Sequence, residues 1–290
     1  MKSILKTIRV SGMISLILSF GMAPIADASQ DLGQASSFVV LSSTYSNSIA
    51  GTILTGNLGY TTPPVMAPTL NGTVHAADSV YNQAGIDQGN ALSALNSLPC
   101  SFNFAPGAID LASDTTHGIV GVYTPGVYCV SGSASIGGGG TITLTGVGTY
   151  VFRMNGALIT SANSIVAAAG ATACDVFWTP TAATTLGANS TFLGTDIDDS
   201  GVNIGNNVAW SGQALSFGGT VSTVGDTITK PACSATRAAA PPASTTTPKL
   251  PNTGSAPTSD VPVAGALAAI LLTVASILWI RRTRSSASSS

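Results

Sequence analysis

The residues able to do chemistry in this chain are few: two histidines, four cysteines and twelve acids, all of them aspartate. Between Ser29 and Ser234 the only cations are Arg153 and Lys230. Hydrolytic or lyase chemistry on a polysaccharide needs acids clustered with a cation, or a carboxylate pair across a cleft. His75, His117, Arg153 and Lys230 are scattered along the sequence instead, and the Gly-x-Ser-x-Gly nucleophile turn is absent. The chain therefore reads as a non-enzyme, and so sparse a set of cations excludes a basic groove for nucleic acid. Asp196-Ile197-Asp198-Asp199-Ser200-Gly201 copies the start of a calcium loop, but Asn207 stands where the closing Glu belongs and no incoming helix precedes it. We read it as a solvated acidic turn, with no metal and no cofactor. Gly137 to Gly140 has no following lysine and reads as a turn rather than a phosphate loop.

Cys100, Cys129, Cys174 and Cys233 are spaced too widely for zinc. An even count outside the cell implies two disulfides, with three connectivities open. The pairing adopted is Cys100 with Cys129, tying a helix end to the next strand, and Cys174 with Cys233, closing the last coils.

Export is implied by the first 28 residues, where basic residues, an apolar stretch and Ala26-Asp27-Ala28 follow in the order of a secretory signal helix. Residues 29–234 form the folding domain. Residues 235–249, rich in Pro, Thr and Ala, cannot build a core and read as a spacer. Residues 261–280 are uncharged and long enough to cross a bilayer as a helix, and the basic, Ser-rich tail 281–290 follows on the cytoplasmic side. Leu250-Pro251-Asn252-Thr253-Gly254 stands just before that span. The three parts together resemble the sortase sorting signal of Gram-positive surface proteins. That resemblance implies cleavage between Thr253 and Gly254 and covalent attachment to peptidoglycan. Either mode of anchoring, by sortase or by the membrane helix alone, places the domain on the outer surface of a Gram-positive-type bacterium.

Within the domain, short β-branched segments bounded by Gly, Asn, Ser or Thr recur: Tyr150-Val151-Phe152, Val176-Phe177-Trp178, Val202-Asn203-Ile204. They carry apolar residues too densely for half-buried hairpins, and they predict coils stacked into a solenoid. Phe38 to Leu41 and Thr52 to Gly59 read as opening strands, and Thr61 to Pro68 as a loop. From about His75 to Leu98 the period becomes helical, with Val80, Ala84, Ala91, Leu95 and Leu98 as the apolar stripe, ending at Pro99.

Six ordered motifs then carry a family resemblance: Leu32-Gly33-x-Ala35-x-x-Phe38, Thr55-Gly56-Asn57-Leu58-Gly59, Pro125-Gly126-Val127-Tyr128, Gly148-x-Tyr150-Val151-Phe152, Cys174-Asp175-Val176-Phe177-Trp178 and Gly212-Gln213-Ala214-Leu215. In this order the domain resembles the secreted ice-binding proteins of cold-adapted microbes. The resemblance implies a mostly β fold: a discontinuous right-handed parallel β-solenoid of triangular cross-section, a long helix packed alongside, and one flat face that adsorbs to ice. The family's edge turn, Thr-Ala/Gly-x-Thr/Asn, is matched loosely by Thr160-Ser161-Ala162-Asn163. The equivalent turns carry Ala188 and Asn206 where Thr is expected, implying weaker activity. Candidates for the ice face are Thr160, Asn163, Thr191, Asn206, Thr220 and Ser222. The physical chemistry agrees, because charged groups hold their own hydration shells whereas Thr, Ser and Ala offer methyls with sparse hydroxyls, and many weak contacts add over a large face. A wall-anchored adhesin binding glycans or cells is the alternative, since fold alone does not settle function.

Overall fold

The computed structural model describes residues 30–233. The leader, the spacer, the Leu250–Gly254 motif and the 261–280 segment lie outside the described residues. Within them, 20 strands form a single coiled sheet with one α-helix packed on it, and every ladder between strands is parallel. The strands fall into three columns, which are the faces of the coil.

One column lies under the helix. It runs from Val74–Ala76 through Asn57–Tyr60, Phe38–Asn47, Ala209–Thr223, Thr191–Ile197, Val176–Pro180, Tyr150–Met154 and Gly126–Val130 to Phe102–Asn103. The stack is thus discontinuous in sequence. The chain starts inside it at Phe38–Asn47, steps to one end, crosses to the other through the helix Ser79–Ser97, and climbs back until Ala209–Thr223 pairs with the starting strand, Val40 opposite Ala214. A helix of 19 residues reaches about 28 Å. Nine strands at about 4.8 Å spacing span about 38 Å, so helix and connecting segments together match the stack.

The helix begins at Asp78, whose carboxylate accepts from the Tyr81 N–H at 2.8 Å, so His75 is left in a strand rather than in the helix expected from the sequence. The apolar stripe is also rotated from its expected position. Tyr81, Ala84, Gly85, Gln88, Ala91 and Leu95 are the buried positions, while Leu98 lies exposed beyond the last turn. They pack on Leu41, Val151, Phe177, Ile197 and Leu215, which project outward from the underlying column. Each fully buried side chain of this size contributes about 1.5–3 kcal/mol. Gly85 is required here, because a Cβ would lie 2.4 Å from the Phe217 ring. At the polar centre of the seam, the Gln88 amide donates to the Asp198 carbonyl at 2.8 Å and its oxygen accepts from the Phe217 N–H at 3.0 Å.

Alternate residues point into the coil, as a two-residue period requires. Tyr128, Phe152 and Trp178 stack in register, Phe152 on Trp178 at 4.3 Å, and Phe192 and Trp210 continue the aromatic interior. Thr52 to Gly59, expected as one strand, divides at Gly56, where a φ of 131° turns the corner between Ile53–Thr55 on an open face and Asn57–Tyr60 under the helix. Cys100 bonds Cys129, fixing the chain after the helix to Gly126–Val130, and Cys174 bonds Cys233, fixing the chain after the last strand.

Candidate functional site

With one column under the helix, the other two are open. The first open face stacks Ile109–Asp110, Ala134–Ile136, Leu158–Thr160, Thr184–Leu186 and Val202–Ile204 against the carboxy-terminal parts of Ala209–Thr223 and Phe38–Asn47. Four of these strands are three residues long, each with its outer residues buried and its middle one turned outward. The outward residues align in one row of seven: Asp110, Ser135, Ile159, Thr185, Asn203, Ser222 and Ser46. Thr220 and Thr44 pair beside that row, and the Ser222 hydroxyl donates to Asn203 Oδ1 at 3.1 Å.

The second open face stacks Val122–Tyr123, Thr141–Thr145, Ile165–Ala169 and the leading parts of Thr191–Ile197 and Ala209–Thr223 with Thr227–Thr229, Ile53–Thr55 and Thr69–Asn71. Its first row reads Thr141, Ile165, Thr191, Ala209, Thr227, Ile53, Thr69. No ionisable side chain stands in it. Its strands vary from two to fifteen residues, and the longest run on into neighbouring columns.

Between the two faces runs a corner built from one repeated turn. Asn163, Asn189 and Asn207 have φ of 62°, 58° and 59°, and Gly139 and Gly225 take the same conformation in the flanking coils. Asn is the non-glycine residue that best tolerates this left-handed geometry. The turns are bonded coil to coil, with Asn163 N–H to Ala188 O and Asn189 N–H to Asn206 O both at 2.9 Å, and Asn207 Nδ2 donating to Asn189 Oδ1 at 3.0 Å. A Cβ on Gly187 would meet Ser161 at 2.3 Å, so glycine lets adjacent coils approach closely there.

The six candidates divide accordingly. Thr160 is interior, only 4% exposed, its hydroxyl accepting from the Gly187 N–H at 2.9 Å. It shapes the corner and cannot contact a surface outside, so its place among the exposed candidates is corrected. Asn163 and Asn206 lie exposed on the corner, Thr191 on the second open face, and Thr220 and Ser222 on the first. They do not form one face. The sequence aligns the turns holding Asn189 and Asn207 without counting these two as candidates, and sequence reasoning missed Thr185 and Asn203, although Thr185-Leu186-Gly187 and Asn203-Ile204-Gly205 lead into those turns at the same spacing.

The acidic stretch is a second correction. Asp199 and Ser200 are exposed, but Asp196 and Asp198 are buried inside the coil. Burial pushes the Asp198 carboxyl up to about 6, against hydrogen bonds to its Oδ1 from the Ser200 and Gly201 N–H groups, both at 3.1 Å. Asp196 is raised well above the usual carboxylate range, first by burial and then by the charge of Asp198. The histidines bond acids three residues away, His75 to Asp78 at the helix start and His117 to Asp114 in a loop where its ring stacks on Tyr123 at 4.1 Å.

Comparison with known proteins places this architecture. Residues 39–229 match the family model described as Ice-binding-like. An ice-binding protein from Nostoc sp. (strain HG1) is 31% identical over 174 residues, 56% of this chain and 60% of the relative. One from Flavobacterium frigoris (strain PS1) is 28% identical over 187 residues, 60% of this chain and 67% of the relative. Among solved structures, the ice-binding protein of the Antarctic ascomycete Antarctomyces psychrotrophicus superimposes with a TM-score of 0.61 at 25% identity, covering 70% of this chain and 99% of that one. An ice binding protein from an Antarctic biological consortium shares the fold with a TM-score of 0.62 at 22% identity, covering 77% and 96%. Since the matched span takes in the helix, both open faces and the corner between them, the chain belongs to the Ice-binding-like family.

Proposed function

We propose that this protein binds ice, and that contact is made by the first open face together with the Asn corner. The observation that carries this reading is the in-register row Ser135, Ile159, Thr185, Asn203, Ser222, Ser46, in which one uncharged outward side chain repeats from coil to coil. Equal three-residue strands between bonded turns favour a flat ledge. Hydroxyl, amide and methyl groups on such a ledge bind liquid water weakly and leave adsorbed water free to take the order of the crystal. The only acid in the row, Asp110, stands at its end. A crystal growing around adsorbed protein must curve, which lowers its local freezing point. Ice crystals grown in the purified protein should become faceted and show thermal hysteresis. Round discs without hysteresis would remove ice as the ligand and leave the adhesin.

Display on the cell surface is part of the same reading, supported by the order of Leu250–Gly254, the uncharged 261–280 segment and the arginines after it. Sortase would then join Thr253 to peptidoglycan after the membrane helix has held the chain in place. The test is release: muramidase should free the protein from a sortase-bearing host, and a Thr253→Ala, Gly254→Ala variant should fractionate with membranes instead. Equal release of both would rule out covalent sorting.

A further inference from the structure

We propose that the Cys100–Cys129 bridge is a thiol-exchange site, opened by a small thiol that carries a carboxylate and enters the cleft beside the helix end. Three ties hold the end of the helix and the segment after it to the column beneath, each to a successive coil. Asn96 Oδ1 accepts from the Thr179 hydroxyl at 3.1 Å, the Leu98 carbonyl accepts from Arg153 Nη1 at 2.6 Å, and Cys100 bonds Cys129. Thr179, Arg153 and Cys129 stand opposite one another in the ladders, so their side chains leave the sheet on one side, about 4.8 Å apart from coil to coil. With the residues that follow them they line a cleft of about 270 Å³, which takes in both cysteines, Arg153, Met154, Asn155 and Thr181 and has no acid in its lining. Both cysteines are half-buried, so the bridge is reached from the cleft.

Charge decides how this bridge reacts. Arg153 is one of two Lys or Arg side chains among the described residues, and no carboxylate there pairs with it. A guanidinium without a counter-ion draws in an anion and stabilises one that forms beside it. The helix end beside Cys100 is a negative pole, so the sulfur that leaves as a thiolate is Cys129 Sγ, in register with Arg153. The entering thiolate bonds Cys100 Sγ, the Cys100–Cys129 bond breaks, and its electron pair goes to Cys129 Sγ. A second small thiolate then attacks the mixed disulfide at the small thiol's sulfur. It leaves as a disulfide of the two small thiols and frees Cys100 as a thiolate, so two small thiols are oxidised and the bridge is reduced. The helix end is then held only by the Asn96 and Leu98 bonds. The other bridge has a different setting. Asp175 follows Cys174 directly, and Lys230, whose Nζ donates to the Pro231 carbonyl, offsets that acid without leaving a net positive charge. Cys233 is the most exposed of the four cysteines, so access alone would open Cys174–Cys233 first, and charge reverses that order.

The test incubates the purified protein at one pH with mercaptoacetate or with neutral 2-mercaptoethanol, matched in thiolate concentration. Iodoacetamide quenches the exchange at intervals, and peptide mass spectrometry reads each cysteine. Cys100 and Cys129 should open before Cys174 and Cys233, and the lead should be larger with mercaptoacetate and shrink as salt is added. Arg153→Gln should slow opening of the Cys100–Cys129 bridge roughly three- to tenfold and erase its preference for mercaptoacetate, with the other bridge unchanged. Arg153→Lys, which keeps the charge, should retain most of the rate. A purely structural Arg153 gives the opposite sign, because losing its bond to Leu98 would loosen the helix end and expose the bridge. Equal or faster opening in Arg153→Gln therefore overturns the proposal. So does a native protein that opens Cys174–Cys233 first, or one whose Cys100–Cys129 bridge reacts alike with both thiols at low salt. These last two readings need no variant, and they decide the matter if Arg153→Gln fails to fold.

Discussion

The two open faces are made from the same coils and nearly the same residue types, yet they differ in what limits their flatness. On the first, four of the seven strands are three residues long and give one outward residue per coil, and tight turns end them. The second is richer in Thr, with no ionisable group in its first row, but it carries Ile165, Ile53 and Leu193 where the row on the first face carries Ile159, and its strands vary from two to fifteen residues. Composition alone would favour the second face. Regularity of backbone favours the first, and a lattice responds to regularity, since each misplaced group loses its contact entirely while each well-placed one adds only a little.

The largest expected effect decides between them. Thr185→Tyr should abolish crystal faceting and hysteresis, whereas Thr227→Tyr, equally exposed on the second face, should leave most of both, each variant keeping its circular dichroism spectrum. The reverse result would transfer the ice contact to the second face. Next in size, removing the Cys174–Cys233 bond by double Ser substitution should cost about 2–4 kcal/mol in denaturant unfolding. That bond fixes the chain beyond Thr227–Thr229, a second-face strand, so hysteresis in the cold should survive it. Asn207→Val, on the corner both faces share, should destabilise by about 1–2 kcal/mol because a β-branched residue resists φ near 59°. Asn207→Gly should recover most of that, though not the bond to Asn189.

The smallest effect is a pH dependence centred on Asp226. Burial raises its carboxyl although the Val224 and Val208 N–H groups donate to it at 2.6 and 2.8 Å. A carboxyl raised in the folded state binds its proton more tightly there than in the unfolded chain. Its contribution is full below the unfolded pKa and is lost as pH rises through the folded one. Asp226→Asn should therefore flatten the fall in Tm between the ordinary carboxylate pKa and the raised folded one, and leave ice shaping at the first face unaltered.

Much of this molecule was legible in its residues. The dense apolar run Val176-Phe177-Trp178 and its kin identify stacked strands, and the change of period from about His75 announces the helix, which the structure starts at Asp78. The disulfide pairing adopted from the sequence is the one in the structure. The surface was less legible. Thr160 and Thr185 are both Thr within short strands, and only the register shows one turned inward to a backbone N–H and the other out to solvent. Asp196 and Asp198 read as solvated because acids usually are. What placed them inside was the two-residue phase of Thr191–Ile197, set by Phe192 and by pairing with coils distant in sequence.

By itself, then, the sequence determined that the chain coils in parallel with a near-neutral surface, because periodicity and charge are local properties that each residue carries into any fold. Which residues share a face was decided only by the tertiary structure. In a solenoid, neighbours across the surface are one coil apart in space but far apart in sequence, by 16 residues for Ile53 and Thr69 and by 18 for Asn189 and Asn207. A shift of one residue in that pairing turns every contact group from solvent to core.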